Sequence, residues 1–164
     1  MNIVIIGSGG REHALCYKLL KSSKINKIYC IPGNAGTDEI ATNIFADIND
    51  FDEIYKIVLK LNVELIVVGP EIPLVNGIVD YFEKKNIKIF GPNKKCSQLE
   101  GSKFFMKKIC KKYNIPSAKY FEISDINQIE KFLSSVSFPV VVKSDGLAAG
   151  KGVTICNNLD EVIK

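Results

Sequence analysis

Four strand-like runs, two of them continuously apolar (3–6 and 65–68) and each stopped by glycine or proline, alternate with segments of helical period, and this alternation restricts the chain to an α/β fold. The runs are residues 3–6 before Gly7-Ser8-Gly9-Gly10, 25–31 before Pro32-Gly33, 65–68 before Gly69-Pro70 and 87–90 before Gly91-Pro92. Continuous apolar runs suit strands covered on both faces. Between them, residues 12–21 put Leu15 and Leu19 on one helical face. Phe51, Ile54, Tyr55, Val58 and Leu59 keep helical spacing, and 74–85 reads as a third helix. The expected architecture is a Rossmann-like parallel sheet with helices on both faces. Ligands of such sheets bind at the carboxyl ends of the strands. The candidate loops are therefore 7–11, 32–36, 69–73 and 91–92.

A long helix is expected over 97–113, ended by Ile115-Pro116. Then follow a strand at 119–123, a helix at 125–133, a strand at 139–143, a glycine-rich loop, a strand at 153–156 and a helix starting near Asn158. The expected division is an amino-terminal domain over 1–98, a connecting helix over 99–116 and a smaller unit over 117–164. Three strands in so short a unit give too little core for independent folding. It reads as the opening of a larger domain.

Composition excludes several classes. With 46% hydrophobic and 24% charged residues, the 164-residue chain is neither disordered nor fibrous. No apolar run approaches the roughly 18 residues of a membrane span, and the first strand lacks the basic region and cleavage site of a signal peptide. Five scattered cysteines without a Cys-x-x-Cys point to reduced cytosolic thiols and a cytoplasmic protein. The net charge of +4 comes entirely from residues 101–164, and five lysines fall within 103–112. That run is either a nucleic-acid patch or a solvated helix face, and the second reading is taken. Of 22 basic residues only Arg11 is arginine, and His13 is the only histidine. An arginine kept in a lysine-rich chain suggests bidentate recognition of an anion.

The loop Gly7-Ser8-Gly9-Gly10-Arg11-Glu12 joins the first strand to the first helix. Glycines and helix-start amides suit a phosphate, although a tight turn without ligand uses the same residues. The dinucleotide fingerprint Gly-x-Gly-x-x-Gly fails, because Glu12 takes the third glycine's place and no acid ends the second strand. A nicotinamide oxidoreductase is thereby disfavoured. His13 is either an ordinary first-turn residue or a participant. Glu71 lies between Pro70 and Pro73, which fix its loop; it either accepts from a ribose hydroxyl or an amine, or caps the following helix.

On a wheel of about 100° per residue, Met106, Cys110 and Tyr113 lie within about 40° of Leu99, and Lys103 falls inside this apolar stripe. It either snorkels or faces a cleft and meets a phosphate. Phe138-Pro139-Val140-Val141-Val142-Lys143 reads as a buried strand ending in lysine. Ser144-Asp145-Gly146-Leu147-Ala148-Ala149-Gly150-Lys151-Gly152 follows. The spacing is wrong for a P-loop, and a strand follows instead of a helix. The segment is a glycine hairpin, either plain or able to close over a polyphosphate with Lys143 and Lys151.

Six blocks together carry a resemblance: residues 7–15, 32–36, 68–71, 90–92, 99–103 and 142–153. In this order they resemble the glycinamide ribonucleotide synthetase (phosphoribosylamine–glycine ligase) family of ATP-grasp ligases in purine biosynthesis. The resemblance implies a pre-ATP-grasp domain followed by an incomplete ATP-grasp subdomain. It implies ATP-dependent ligation of glycine to 5-phosphoribosylamine, with no nucleic-acid or membrane partner. ATP would meet Lys103, Lys143, Asp145, Gly146, Gly150, Lys151 and Gly152. The sugar phosphate would meet Ser8, Gly9, Gly10, Arg11, Gly33, Asn34 and Glu71. The resemblance names no catalytic residue. Family members are longer, so it also implies Mg²⁺ ligands beyond Lys164 and none within the chain, and no ligation by these residues alone. Another ATP-grasp ligase or carboxylase, or a non-catalytic nucleotide-binding module, remains the alternative.

Overall fold

The computed structural model describes residues 1–125, 127–133, 136–148 and 150–163. It divides into two units, Met1–Ser97 and Gln98–Lys164. The first is a five-stranded, all-parallel sheet of order β3-β2-β1-β4-β5. The strands are β1 (Asn2–Gly7), β2 (Lys27–Pro32), β3 (Thr42–Asn43), β4 (Val63–Val68) and β5 (Ile89–Phe90). The two-residue β3 was not expected; it is too short to show periodicity and exists because Tyr29 and Cys30 of β2 pair with it.

Alternate residues of the central strands feed two cores. Val4, Ile6, Tyr29, Ile31, Ile66 and Val68 face one side. There they meet Ile54 and Val58 of α3 (Phe51–Lys60) and Ile78, Val79 and Phe82 of α5 (Ile78–Glu83). Ile3, Ile5, Ile28, Cys30 and Val67 face the other side, under Leu15, Cys16 and Leu19 of α1 (Gly10–Leu19). Burial on both faces is why the strand sequences are continuously apolar. Each fully buried Ile or Val contributes about 1.5–3 kcal/mol. Cys16 and Cys30 are free thiols in the second core, their sulfurs 3.1 Å apart.

The helix expected over 74–85 is two helices, α4 (Glu71–Asn76) and α5, because Gly77 between them sits at φ +98°. A short α2 (Ala35–Asp38) follows β2.

In the second unit the helix expected over 97–113, including the connecting segment 99–116, is broken. It forms α6 (Lys94–Gly101) and α7 (Lys103–Lys112), with Ser102 in an extended conformation as the N-cap of α7. The apolar stripe drawn across the break therefore loses its phase. Leu99 and Tyr113 are exposed, and α7 buries no residue. Residues 119–123 are not a strand, since no strand pairs with them among the described residues. The helix expected over 125–133 is α8 (Gln128–Leu133), and Ile126 lies outside the described residues. The pair β6 (Val140–Lys143) and β7 (Val153–Cys156) is antiparallel, running from Val140–Cys156 to Lys143–Val153. It is not the buried strand expected: Val141, Val142, Val153 and Ile155 are all exposed. Helix α9 (Leu159–Ile163) follows.

Candidate functional site

The sheet order reverses between β1 and β4, which sit side by side with β2 beyond β1. Such a switch point opens a crevice at the carboxyl ends of the strands. Register brings three predicted loops to that edge: Gly7 lies opposite Pro32, and Ile6 opposite Val68. The backbone continues the tie, with Gly33 N–H donating to Gly7 O at 3.2 Å and Gly69 N–H donating to Ile6 O at 3.0 Å.

Arg11 spans the crevice. Its Nη1 donates to the Gly69 carbonyl at 2.5 Å, and its Nη2 donates to Glu71 Oε1 at 2.9 Å. The hydrogen bond from Arg11 and then a backbone hydrogen bond at Glu71 hold its carboxyl below the ordinary value of 4.5; burial opposes them, and the Arg11 charge adds a smaller lowering. Both ends are substantially exposed, at 60% and 43% of the side chain, so the pair adds little to stability. Glu71 is not a cap: it is the first residue of α4, whose N-cap is Pro70 without a side-chain cap hydrogen bond, and its carboxylate accepts from Arg11.

Asn34 is the second tie. Its side-chain nitrogen donates to Ser8 O at 2.8 Å and Gly9 O at 3.3 Å, while its side-chain oxygen accepts from Thr37 N–H at 3.0 Å as the N-cap of α2. Gly33 sits at φ +74° with Asn43 and Thr37 packed where a Cβ would be. Gly10 faces open space, with nothing within 4 Å of a Cβ. The His13 ring lies against Gly36, where a Cβ would come within 2.6 Å of Cε1 and Nδ1. His13 thus packs α1 onto the loop after β2.

The residue the sequence reading did not select is Glu12. It is 4% exposed. Its Oε2 accepts from Gly9 N–H at 2.6 Å, closing the first turn of α1. Its Oε1 has no hydrogen-bond partner and lies 3.9 Å from Arg11 Nε. A Cβ on Gly7 or Gly69 would strike its side chain. The available signal was position: the third residue of a helix is where a carboxylate reaches back to the N-cap amide.

In the second unit, Lys103 is the first residue of α7, and its Nζ donates to the Gly146 carbonyl at 2.8 Å. Asp145 accepts from Ser102 Oγ at 3.0 Å and from Lys103 N–H at 2.6 Å. Burial works against the Asp145 charge, but hydrogen bonds from Ser102 and from the backbone of Gly146, Lys103 and Phe104 outweigh it and hold the carboxyl below its ordinary 3.8. Lys143 ends β6, and both it and Lys151 are exposed and make no ion pair among the described residues. Gly146 and Gly150 have positive φ and open surroundings, while Gly152 is packed against Ser144 and Ala148. Ala149 lies outside the described residues. A cavity of about 340 Å³ between α7 and residues 115–121 is lined by Lys107, Cys110 and Lys111 among others, and by none of the predicted site residues. Among the described residues no three His, Cys, Asp or Glu side chains cluster as a metal site. No helix among them is long and apolar enough to cross a membrane.

Residues 1–100 match the family model for the N domain of phosphoribosylglycinamide synthetase, and residues 101–164 match that for its ATP-grasp (A) domain. The chain belongs to the phosphoribosylglycinamide synthetase family. It is 44% identical over 161 residues to the phosphoribosylamine–glycine ligase of Caldanaerobacter subterraneus subsp. tengcongensis, covering 98% of this chain and 39% of that protein. It is 45% identical over 167 residues to the ligase of Clostridium acetobutylicum, covering 100% and 40%. Among solved structures, the phosphoribosylamine–glycine ligase of Thermotoga maritima superposes with a TM-score of 0.76 at 33% identity, over 99% of this chain and 38% of that one. The biotin carboxylase domain of Hydrogenobacter thermophilus 2-oxoglutarate carboxylase shares the fold, with a TM-score of 0.80 at 19% identity over 99% and 38%. The chain thus spans about two fifths of the length of the curated family members it matches.

Proposed function

We propose that this chain serves the ATP-dependent ligation of glycine to 5-phosphoribosylamine in purine biosynthesis, a carbon–nitrogen bond formation giving glycinamide ribonucleotide, ADP and phosphate. The observation that carries the reading is the 44% identity to a phosphoribosylamine–glycine ligase across 98% of the chain. In this reading a glycine carboxylate oxygen attacks the γ-phosphorus of ATP and ADP leaves. The amine nitrogen of phosphoribosylamine then attacks the acyl carbon, phosphate leaves and the nitrogen loses a proton. A carboxylate is a poor electrophile, and phosphorylation supplies its leaving group. The remaining demands are positioning and charge neutralisation.

The first unit supplies the sugar-phosphate side, through loops 7–11 and 32–36, with Arg11 and Glu71 across the crevice. The second supplies Lys103 and Lys143 to the ATP phosphates, with 146–152 as a lid. In this reading no Mg²⁺ ligand is assigned to the described residues, and the metal would neutralise the ATP phosphates from carboxylates elsewhere in the enzyme. The protein acts in the cytoplasm and has small molecules, not nucleic acid, as partners. By itself the 164-residue chain binds ATP weakly at most and does not ligate.

The test is a fusion of this chain to the remaining three fifths of the Caldanaerobacter relative, assayed for ADP release. Release that needs both glycine and phosphoribosylamine supports the reading. A folded fusion releasing ADP without glycine overturns it. Turnover by the chain alone at an ordinary enzymatic rate, roughly 1–10³ s⁻¹, overturns the division of labour.

A further inference from the structure

Asp145 belongs to the glycine hairpin by sequence, yet its carboxylate is spent on α7. It accepts from Lys103 N–H at 2.6 Å, Ser102 Oγ–H at 3.0 Å and Phe104 N–H at 3.4 Å. The two amides belong to the first turn of α7, whose N–H groups have no intrahelical partner and carry the positive end of the helix dipole. A phosphate seeking those amides finds them filled by an anion of like charge. The contact runs in both directions, because Lys103 Nζ donates to the carbonyl of the next hairpin residue, Gly146, at 2.8 Å. Residues 102–104 therefore grip 145–146 by backbone and side chain together. Beyond the grip, Gly146 and Gly150 adopt φ of +85° and +79° with nothing within 4 Å of a Cβ on either, while Lys151 N–H donates to Ala148 O at 2.8 Å and Gly152 packs against Ser144 and Ala148. Strand pairing below it ends at Lys143–Val153, extended by Ser144 N–H donating to Gly152 O at 2.9 Å.

We propose that Asp145 is a positioning residue and not a nucleotide ligand: it clamps the root of the glycine hairpin to the first turn of α7 and holds Lys103 against the hairpin backbone. The functional consequence rests on the reading of Lys103 as a phosphate-binding residue. A phosphate draws the Lys103 ammonium from the Gly146 carbonyl, and Asp145 keeps the backbone of both segments in place while the side chain moves.

The experiment compares the 164-residue chain with Asp145→Ala and Asp145→Asn, by amide hydrogen exchange without nucleotide and by titration with ATP. Exchange at Lys103 and Phe104 is expected to quicken about tenfold in the alanine variant, as for loss of a helix cap, with most protection recovered in the asparagine variant, which keeps an acceptor oxygen. ATP affinity follows the same order, the asparagine variant staying within about threefold of the parent. Unchanged exchange in Asp145→Ala overturns the clamp. So does equal loss of ATP affinity in both variants with exchange preserved in Asp145→Asn, which is the pattern of a ligand acting by its charge. Where the parent chain alone binds no ATP, the titration is made on the fusion enzyme with the same variants, and a fusion whose ATP affinity is unchanged by Lys103→Met overturns the phosphate reading of Lys103.

Discussion

Replacing Gly69 by alanine tests the packing of the crevice most directly. The new Cβ would overlap Glu12 Oε1 and lie 2.5 Å from its Cδ and 2.8 Å from its Cγ. Ordinary carbon contacts are about 3.5–4.0 Å, so the Glu12 side chain must retreat by about 1 Å. It has little room to do so, being 4% exposed and held by Gly9 N–H at 2.6 Å. Overpacking of this kind costs about 1–3 kcal/mol, and loss of a helix-start hydrogen bond adds about 0.5–2. Together they give roughly 1.5–5 kcal/mol, a large part of a typical domain's 5–15. For a unit of this size each kcal/mol lowers Tm by about 4–8 °C, so the expected fall is roughly 6–40 °C. Thermal unfolding followed by circular dichroism measures it. The cause is isolated by a double-mutant cycle: in a Glu12→Ala background the methyl has space, and Gly69→Ala becomes neutral or slightly stabilising by restricting the unfolded chain. A Gly69→Ala variant melting within about 2 °C of the parent, or one destabilised equally without Glu12, would refute the reasoning. Gly10→Ala is the control, since its Cβ meets nothing within 4 Å.

Three other outcomes are expected. Arg11→Lys keeps the charge but loses the fork that reaches both Gly69 O and Glu71. Stability changes by less than about 1 kcal/mol because the pair is exposed, while in the fusion enzyme the apparent KM for phosphoribosylamine rises more than that for glycine; equal changes would remove Arg11 from the sugar-phosphate side. The Glu71 carboxyl is depressed below 4.5 in the folded protein, chiefly by the hydrogen bond from Arg11. The stability it confers is therefore present above about pH 4.5 and lost as pH falls through the lower folded value, and urea midpoints between about pH 6 and 3 should show a shallower acid slope in Glu71→Gln. Lys103→Met removes a donor to the Gly146 carbonyl and a proposed phosphate ligand; ATP titration should weaken while the melting temperature holds, and early melting with normal ATP binding would mark the lysine as structural.

The sequence determined four of the five strands of the first unit and the edge at which its loops gather. Continuous apolar runs ended by glycine or proline carry both facts locally, because a strand buried on both faces must be apolar throughout and must stop where its backbone turns. The sequence also placed Arg11, Asn34 and Glu71 in loops of that edge, since loop membership follows from strand ends. Which of them touch was a tertiary matter. Arg11 meets Gly69 and Glu71 because β1 and β4 are neighbours, and strand order is not written in any local pattern. Glu12 was legible as a departure from the dinucleotide fingerprint. Its burial between Gly7 and Gly69 required the paired strands to bring those glycines together. The second unit was less legible for a physical reason of its own. The wheel across 97–113 assumed one helix, and a single extended residue, Ser102, resets the phase and turns Lys103 towards Gly146. Asp145, read as part of a phosphate loop, is held by amides some forty residues earlier in the chain. A side chain's nearest partner depends on which backbone amides lack one, and only the folded chain decides that.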